Sequence, residues 1–165
     1  MLDEADYERD DAAPIDMLES YFAAHGWEHE RQDEEVIAKV KGSWTQYELR
    51  ALWRDDDSVL QFLAFPDIRV TDERRAAIYE AIGLINEQLW VGHFELWSSS
   101  GILLYRHAAV IEGEGTLSLG TAELLVELAI DECERFYPVF QFVMWGGKTP
   151  KEALAAAMTE TQGEA

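Results

Sequence analysis

Basic residues are scarce in this chain of 165 residues, which has 13 lysines and arginines against 33 aspartates and glutamates. The resulting formal net charge of −20 argues against nucleic acid as a partner, because phosphate binding needs clustered Lys and Arg. Anionic membrane surfaces are disfavoured for the same reason. The acidity suits a basic partner, and it equally suits a protein whose charge serves only its solubility.

Cysteine is almost missing, since Cys133 is the only one in the sequence. An internal disulfide is therefore impossible, which favours a reducing compartment. No segment reaches the ~18 apolar residues that a membrane span requires. The acidic beginning, MLDEADYERDD, lacks the basic and apolar parts of a signal peptide. We therefore expect a cytoplasmic protein without membrane contact, and a buried, unreactive thiol at Cys133.

Apolar and aromatic residues are plentiful. Hydrophobic residues make up 48% of the chain, and six Trp, six Tyr and seven Phe suffice for one well-filled core. No internal repeat and no long Gly, Ser or Pro linker indicates a second domain. We predict a disordered acidic arm over residues 1–13, one folded domain over residues 14–147, and a C-terminal helix with a polar tail over residues 148–165.

The spacing of the apolar residues predicts an α+β fold. A first helix is followed by three or four strands between residues 27 and 65, and a second helix by two strands joined by a turn at residues 98–101. A long third helix contains Pro138, which should kink or divide it, and a short helix begins at Pro150. Strands in runs joined by short turns favour an antiparallel sheet of about five strands with helices packed on it.

Two short motifs suggest chemistry and fail its geometric requirements. His25 and His29 match the H-x-x-E-H spacing of some zinc proteases, but Gly26 lies between them where the helical pattern stops. Gly147-Lys148-Thr149 resembles the end of a P-loop, but it follows a helix and lacks the earlier glycine. We therefore predict a helix-to-strand junction at the histidines and a helix end at Gly147. We predict no enzymatic activity, no catalytic residue, no metal and no cofactor.

Residues 85–110, INEQLWVGHFELWSSSGILLYRHAAV, resemble the YbjN family of bacterial sensory transduction regulators. Gly26-Trp27 and Gly42, followed by the strand over residues 47–53, support the resemblance, which extends over residues 14–147. The positions that carry it are Asn86, Leu89, Gly92, Phe94, Leu96, Gly101, Tyr105 and Arg106. Among them we expect Asn86 to anchor the turn before Gly92 through hydrogen bonds.

The resemblance implies a type III secretion chaperone-like fold in the order α-β-β-β-α-β-β-α, with no established enzymatic activity or catalytic residues. Chaperones of that fold are small acidic homodimers that hold extended segments of a client protein. By analogy we expect a homodimer that binds a protein partner and acts as a regulator or chaperone-like adaptor. The alternative is a small-molecule sensor with a pocket between the sheet and the helix that carries Asn86.

Tryptophan is more abundant than a small core strictly needs, and it suits protein contacts because it buries a large area at low entropic cost. We predict that at least two members of a set of five line an exposed apolar patch or a dimer interface. The competing interpretation is an unusually aromatic core. The set comprises Trp44, Trp53, Trp90, Trp97 and Trp145.

Overall fold

The computed structural model describes the backbone of residues 11–163 and the side chains of residues 11–159. Four α-helices and a 3-10 turn at Asp72–Arg74 accompany two antiparallel sheets. The helices are α1 (Pro14–Ala24), α2 (Arg75–Asn86), α3 (Leu119–Met144) and α4 (Pro150–Gly163). The strands are β1 (Asp11–Ala12), β2 (Glu28–Gln32), β3 (Glu35–Lys41), β4 (Gln46–Arg54), β5 (Val59–Phe65), β6 (His93–Trp97), β7 (Ile102–Val110) and β8 (Leu117–Ser118).

The main sheet has six strands in the order β2-β3-β4-β5-β7-β6, and every neighbouring pair is antiparallel. Hairpins join β2, β3, β4 and β5 in sequence, whereas α2 carries the chain across to β6 at the far edge. The predicted α+β class and antiparallel sheet are confirmed. The sheet has six strands because the short segment after Trp27 does form a strand, β2.

One face of this sheet is buried under the helices. Val36, Ala38, Leu49 and Phe62 are among the alternate strand residues that point to that side and have almost no exposure. Their side chains pack with the apolar faces of α1, α2 and α3 in a single core. The last helix, α4, lies against α2 and α3 and contributes the fully buried Ala153.

The predicted boundary of the N-terminal arm does not hold for residues 11–13. Asp11 and Ala12 form β1 and pair with Ser118 and Leu117 of β8, so this part of the chain is tied to the start of α3. The other residues of that arm, 1–10, lie outside the described residues.

Pro138 does not divide α3, which continues through it to Met144. Proline has no N–H, so the carbonyl of Glu134, four residues earlier, loses its usual helical donor. The indole Nε1 of Trp44 donates to that carbonyl at 3.1 Å, and the Trp44 ring stacks on Tyr137. The Glu134 carboxylate accepts the backbone N–H of Ser43 at 2.8 Å. The hairpin between β3 and β4 therefore supplies the hydrogen bond that α3 loses at Pro138.

Candidate functional site: the open face of the sheet

The second face of the main sheet carries no helix within the part of the chain that the structure describes. We call this surface the open face. Residues on it alternate with the core residues along each strand. They include Glu35, Ile37 and Lys39 of β3, Glu48, Arg50 and Leu52 of β4, Gln61, Leu63 and Phe65 of β5, Ile102, Leu104 and Arg106 of β7, and Glu95 and Trp97 of β6.

The open face has its own apolar strip. Leu63 and Leu104 are buried, yet they do not belong to the core under the helices, because they point to the opposite side. Phe65 meets Trp97 edge to face, with ring centroids 5.6 Å apart, and the guanidinium of Arg50 lies 5.4 Å above the Phe65 ring. Aromatic and arginine side chains of this kind bury a large area in protein contacts.

Ion pairs with glutamates orient the two arginines of this strip, Arg50 and Arg106. Arg50 reaches Glu48 at 3.1 Å and Glu35 at 3.9 Å, and Arg106 pairs with Glu95. About a third of each of these side chains is exposed, so we expect each pair to contribute about 0–1 kcal/mol to stability. Their main effect is to orient the guanidinium groups of Arg50 and Arg106, the two residues directly opposite Leu63 in the ladders with β4 and β7.

At one end of the open face the strand pairing opens into a cleft of about 330 Å³. The last pair between β4 and β5 joins Glu48 to Phe65, and Pro66 follows at once. The chain then bends, with φ of 57° at Asp67, and after the bend it pairs, within the described residues, only with β7, through Arg69 and Ile102. The cleft lies where the pairing with β4 has ended, and we call it the strand-break cleft.

The structure separates the five tryptophans that were expected to mark the binding surface. Trp44, Trp90 and Trp145 are 49%, 100% and 61% exposed, and Trp97 lies partly buried on the open face. Trp53 is partly buried against the core, on the helix side of β4. No two of these rings pack together among residues 11–159. Only Trp97 lies on the open face, and a role of any of them in binding stays a prediction.

The residues that carried the family resemblance build an internal junction. Asn86 donates to the Phe94 carbonyl at 3.1 Å and accepts the Phe94 N–H at 2.9 Å, so its amide occupies the outer edge of β6. Gly92 has φ of 72°, and a Cβ there would come 2.3 Å from the Tyr105 hydroxyl, which donates to the Val91 carbonyl. The expected hydrogen-bonding role of Asn86 is therefore observed, with its partner on the strand after the turn.

This junction bears on the sensor alternative, which placed a ligand pocket beside Asn86. The side-chain amide of Asn86 is bonded to the backbone of Phe94, and Ile85 and Phe94 beside it are buried. These contacts count against a ligand pocket at Asn86 itself, and the sensor alternative stays a prediction.

Two further signature positions serve the hairpin between β6 and β7. Gly101 has φ of 73°, and a Cβ would come 2.6 Å from the Val70 carbonyl oxygen. Arg106 pairs with Glu95 across the hairpin. Six of the positions that carried the resemblance therefore have a structural role here, namely Asn86, Gly92, Phe94, Gly101, Tyr105 and Arg106.

The two motifs that suggested chemistry lie at element junctions. His25 ends α1 and stacks on Tyr21, whereas His29 is on β2. Gly147, with φ of 67°, follows the end of α3. Within residues 11–159 no group of three or more His, Cys, Asp and Glu side chains is placed to hold a metal. Cys133 is buried, and burial raises the pKa of its thiol, which disfavours the reactive thiolate.

The apolar strip and its arginines were not identified from sequence. The one available signal was β5, whose residues are apolar on both sides, a pattern that indicates burial of both sheet faces. In the structure helices cover one side of β5, and on the other side Leu63 is buried between the cross-strand partners Arg50 and Arg106, whereas Phe65 stays partly exposed. Strand order determines which residues cover the second face. The alternation of residues within one strand does not specify that order.

These features define an α+β protein with one helix-covered sheet face and one open sheet face. The chain belongs to the YbjN family. The family's model, described as "putative bacterial sensory transduction regulator", matches residues 14–142. The crystal structure of YbjN from E. coli, described as "a putative transcription regulator", has the same fold. Its TM-score is 0.52 at 10% sequence identity, over 73% of this chain and 85% of that chain.

No curated protein matches the sequence. Among the described helices, none combines the length and apolar character needed to cross a bilayer.

Proposed function

We propose that this chain is a non-catalytic, protein-binding regulator or chaperone-like adaptor that works in the cytoplasm as a homodimer, and that it binds its protein partner on the open face. The observation that carries the proposal is the apolar strip around Leu63, Phe65 and Trp97, which no helix covers in the described part of the chain. A sheet face that no helix covers and that carries partly exposed aromatic side chains is a typical site for a second protein surface.

The comparisons support a regulatory role without defining its chemistry. The family description names sensory transduction regulators, and the solved E. coli protein is described as a transcription regulator. A formal charge of −20 makes direct contact with DNA unfavourable for this chain. Regulation through a protein partner reconciles the family description with that charge.

The two edges of the main sheet differ in what they offer a partner. At the β6 edge the Asn86 amide already satisfies the backbone of Phe94, so an added strand cannot pair there without displacing it. At the β2 edge the strand is short and carries Glu28, His29, Glu30 and Arg31, a composition that discourages strand addition. The open face is therefore favoured over both edges.

The test compares partner binding by the unchanged protein and by an open-face variant. Ile37→Thr with Leu52→Thr removes apolar surface from the open face while keeping residues that a strand tolerates. Leu124→Gln on α3 is the matched control, because Leu124 is 61% exposed on a helix. Proteins captured from a native lysate are identified, purified and titrated against the three forms, and light scattering gives the oligomeric state of each.

We expect at least one purified partner to bind the unchanged protein and the Leu124 variant equally, and the open-face variant about tenfold more weakly, because apolar contact area is lost. A purified partner that binds all three forms alike would show that the open face is not the binding surface. Monomers at every concentration would contradict the homodimer.

A further inference from the structure

The strand-break cleft combines an apolar floor with cationic walls. Phe65 and Ile102 line it from the sheet, and Lys39 and Arg69 line it from opposite sides. Arg69 is held in place by its pairing with Ile102, and Lys39 by its place in the ladder of β3 and β4. Both cations therefore project from backbone that is fixed by neighbouring strands.

The charge balance of this cleft is unlike that of the whole chain. Lys39 and Arg69 form no ion pair among residues 11–159. Glu48 lies directly across from Lys39 in the ladder, but its carboxylate is bonded to Arg50 at 3.1 Å. Asp67 is the other acid that lines the cleft. Glu28 lies directly across from Lys39 on its β2 side but does not line the cleft. Among the residues that line the cleft, two cations without an ion pair therefore accompany one acid without an ion pair, in a chain with 13 basic and 33 acidic residues.

We propose that the strand-break cleft recognises an acidic side chain on an extended segment of the protein partner, with Lys39 and Arg69 contacting the carboxylate and Phe65 and Ile102 contacting an apolar neighbour. The inference rests on the proposed function and names the partner's chemistry. An extended segment presents alternate side chains to the surface on which it lies, so acidic and apolar residues at alternating positions fit this cleft. Arg69 suits carboxylate recognition because its planar guanidinium can donate two parallel hydrogen bonds.

The direct test is an NMR titration of the isotope-labelled full chain with two synthetic peptides. One is Val-Glu-Val-Glu-Val, and the other is Val-Gln-Val-Gln-Val, which has nearly the same shape without the charge. The peptides are titrated into the unchanged protein, into Lys39→Gln with Arg69→Gln, and into the control Lys151→Gln. Lys151 is exposed on α4, the helix that packs on α2 and α3 behind the covered face.

We expect the glutamate peptide to cause saturable shifts at the amides of residues 46–48 and 67–69. The glutamine peptide and the double variant should each bind about tenfold more weakly, as loss of two exposed charge contacts predicts, and the Lys151 variant should bind normally. Equal binding of the two peptides, an unaffected double variant, or shifts that map elsewhere would overturn the proposal.

Two further outcomes separate this inference from the proposed function. Free glutamate that saturates the site as tightly as the peptide would overturn recognition of an extended segment, because the site would then be one for small carboxylates. A purified partner that binds the Lys39/Arg69 variant as tightly as the unchanged protein would also overturn it, while the proposed function would stand.

Discussion

Replacing Trp44 with phenylalanine tests whether the hairpin between β3 and β4 compensates for the proline in α3. Trp44→Phe keeps an aromatic ring over Tyr137, where the rings stack 5° from parallel, and removes the indole N–H that donates to the Glu134 carbonyl at 3.1 Å. A net hydrogen bond contributes about 0.5–1.5 kcal/mol to stability. Because Trp44 is 49% exposed and water can replace it, we expect a loss of about 0.5–1 kcal/mol.

The physical cause can be isolated with a second substitution, Pro138→Ala. Alanine restores the N–H that donates to the Glu134 carbonyl in an unbroken helix. In this background the carbonyl has a helical donor besides the indole, so Trp44→Phe should cost less by about 0.5 kcal/mol. A double-mutant cycle gives this difference directly, because the two sites share one acceptor.

Urea denaturation followed by far-ultraviolet circular dichroism measures all four proteins, because the signal does not depend on the tryptophan that is removed. Trp145→Phe is the matched control, since Trp145 is exposed directly after the end of α3 and its indole donates no hydrogen bond within the described part of the chain. The reasoning is refuted if Trp44→Phe costs the same in the unchanged protein and in the Pro138→Ala background, or if it costs no more than the Trp145 control.

Three other predictions concern stability measured by the same denaturation. Asn86→Ala should lower the free energy of unfolding by about 1–3 kcal/mol, because it leaves the Phe94 N–H and carbonyl without their partner. Faster hydrogen exchange at the Phe94 amide should accompany this loss. An unchanged denaturation midpoint would contradict the role of Asn86 at the β6 edge. Gly92→Ala should lower the free energy of unfolding by more than about 1 kcal/mol, since φ is 72° and the new Cβ has no room. Gly83→Ala, at a position inside α2 with open space around it, should instead raise the free energy of unfolding by about 0.5–1 kcal/mol. Similar effects at both positions would refute the steric argument. Burial lowers the pKa of His107 below its ordinary value of 6.5, so the unfolded chain takes up a proton first as the pH falls. Stability should therefore fall below about pH 6.5, and His107→Gln should reduce that dependence; an identical pH profile would exclude His107 as its source.

Much of the element order could be predicted because local patterns specify it. Pro14 at the start of α1, Gly26 after its end and the alternation in β3 and β4 each act over a few neighbouring residues. Pro138 was predicted to kink or divide α3, and division is wrong: the helix continues to Met144, and a residue from a distant segment supplies the donor that the Glu134 carbonyl lacks. The indole of Trp44 does so from ninety positions away in the chain, as the hydrogen bond to Glu134 shows.

The candidate binding surface was less predictable. Tryptophan content was the sequence-based guide, and it led to five residues of which only Trp97 lies on the open face. Arg50 and Glu48 alternate with core residues in β4, and this pattern assigns them no role beyond lying on the other side of the strand. Their significance comes from Phe65 and Leu63, which the ladder places beside them.

The fold class, the family and the acidic character of this protein could be predicted from its residues alone, because periodicity, glycine positions and net charge are properties of short segments or of the whole composition. The folded arrangement sets which face of the sheet stays open and where β4 and β5 part after Pro66. It also brought Lys39 and Arg69 to the same cleft. These are long-range outcomes of strand order and register, and a residue's neighbours in the chain do not specify its neighbours across a sheet.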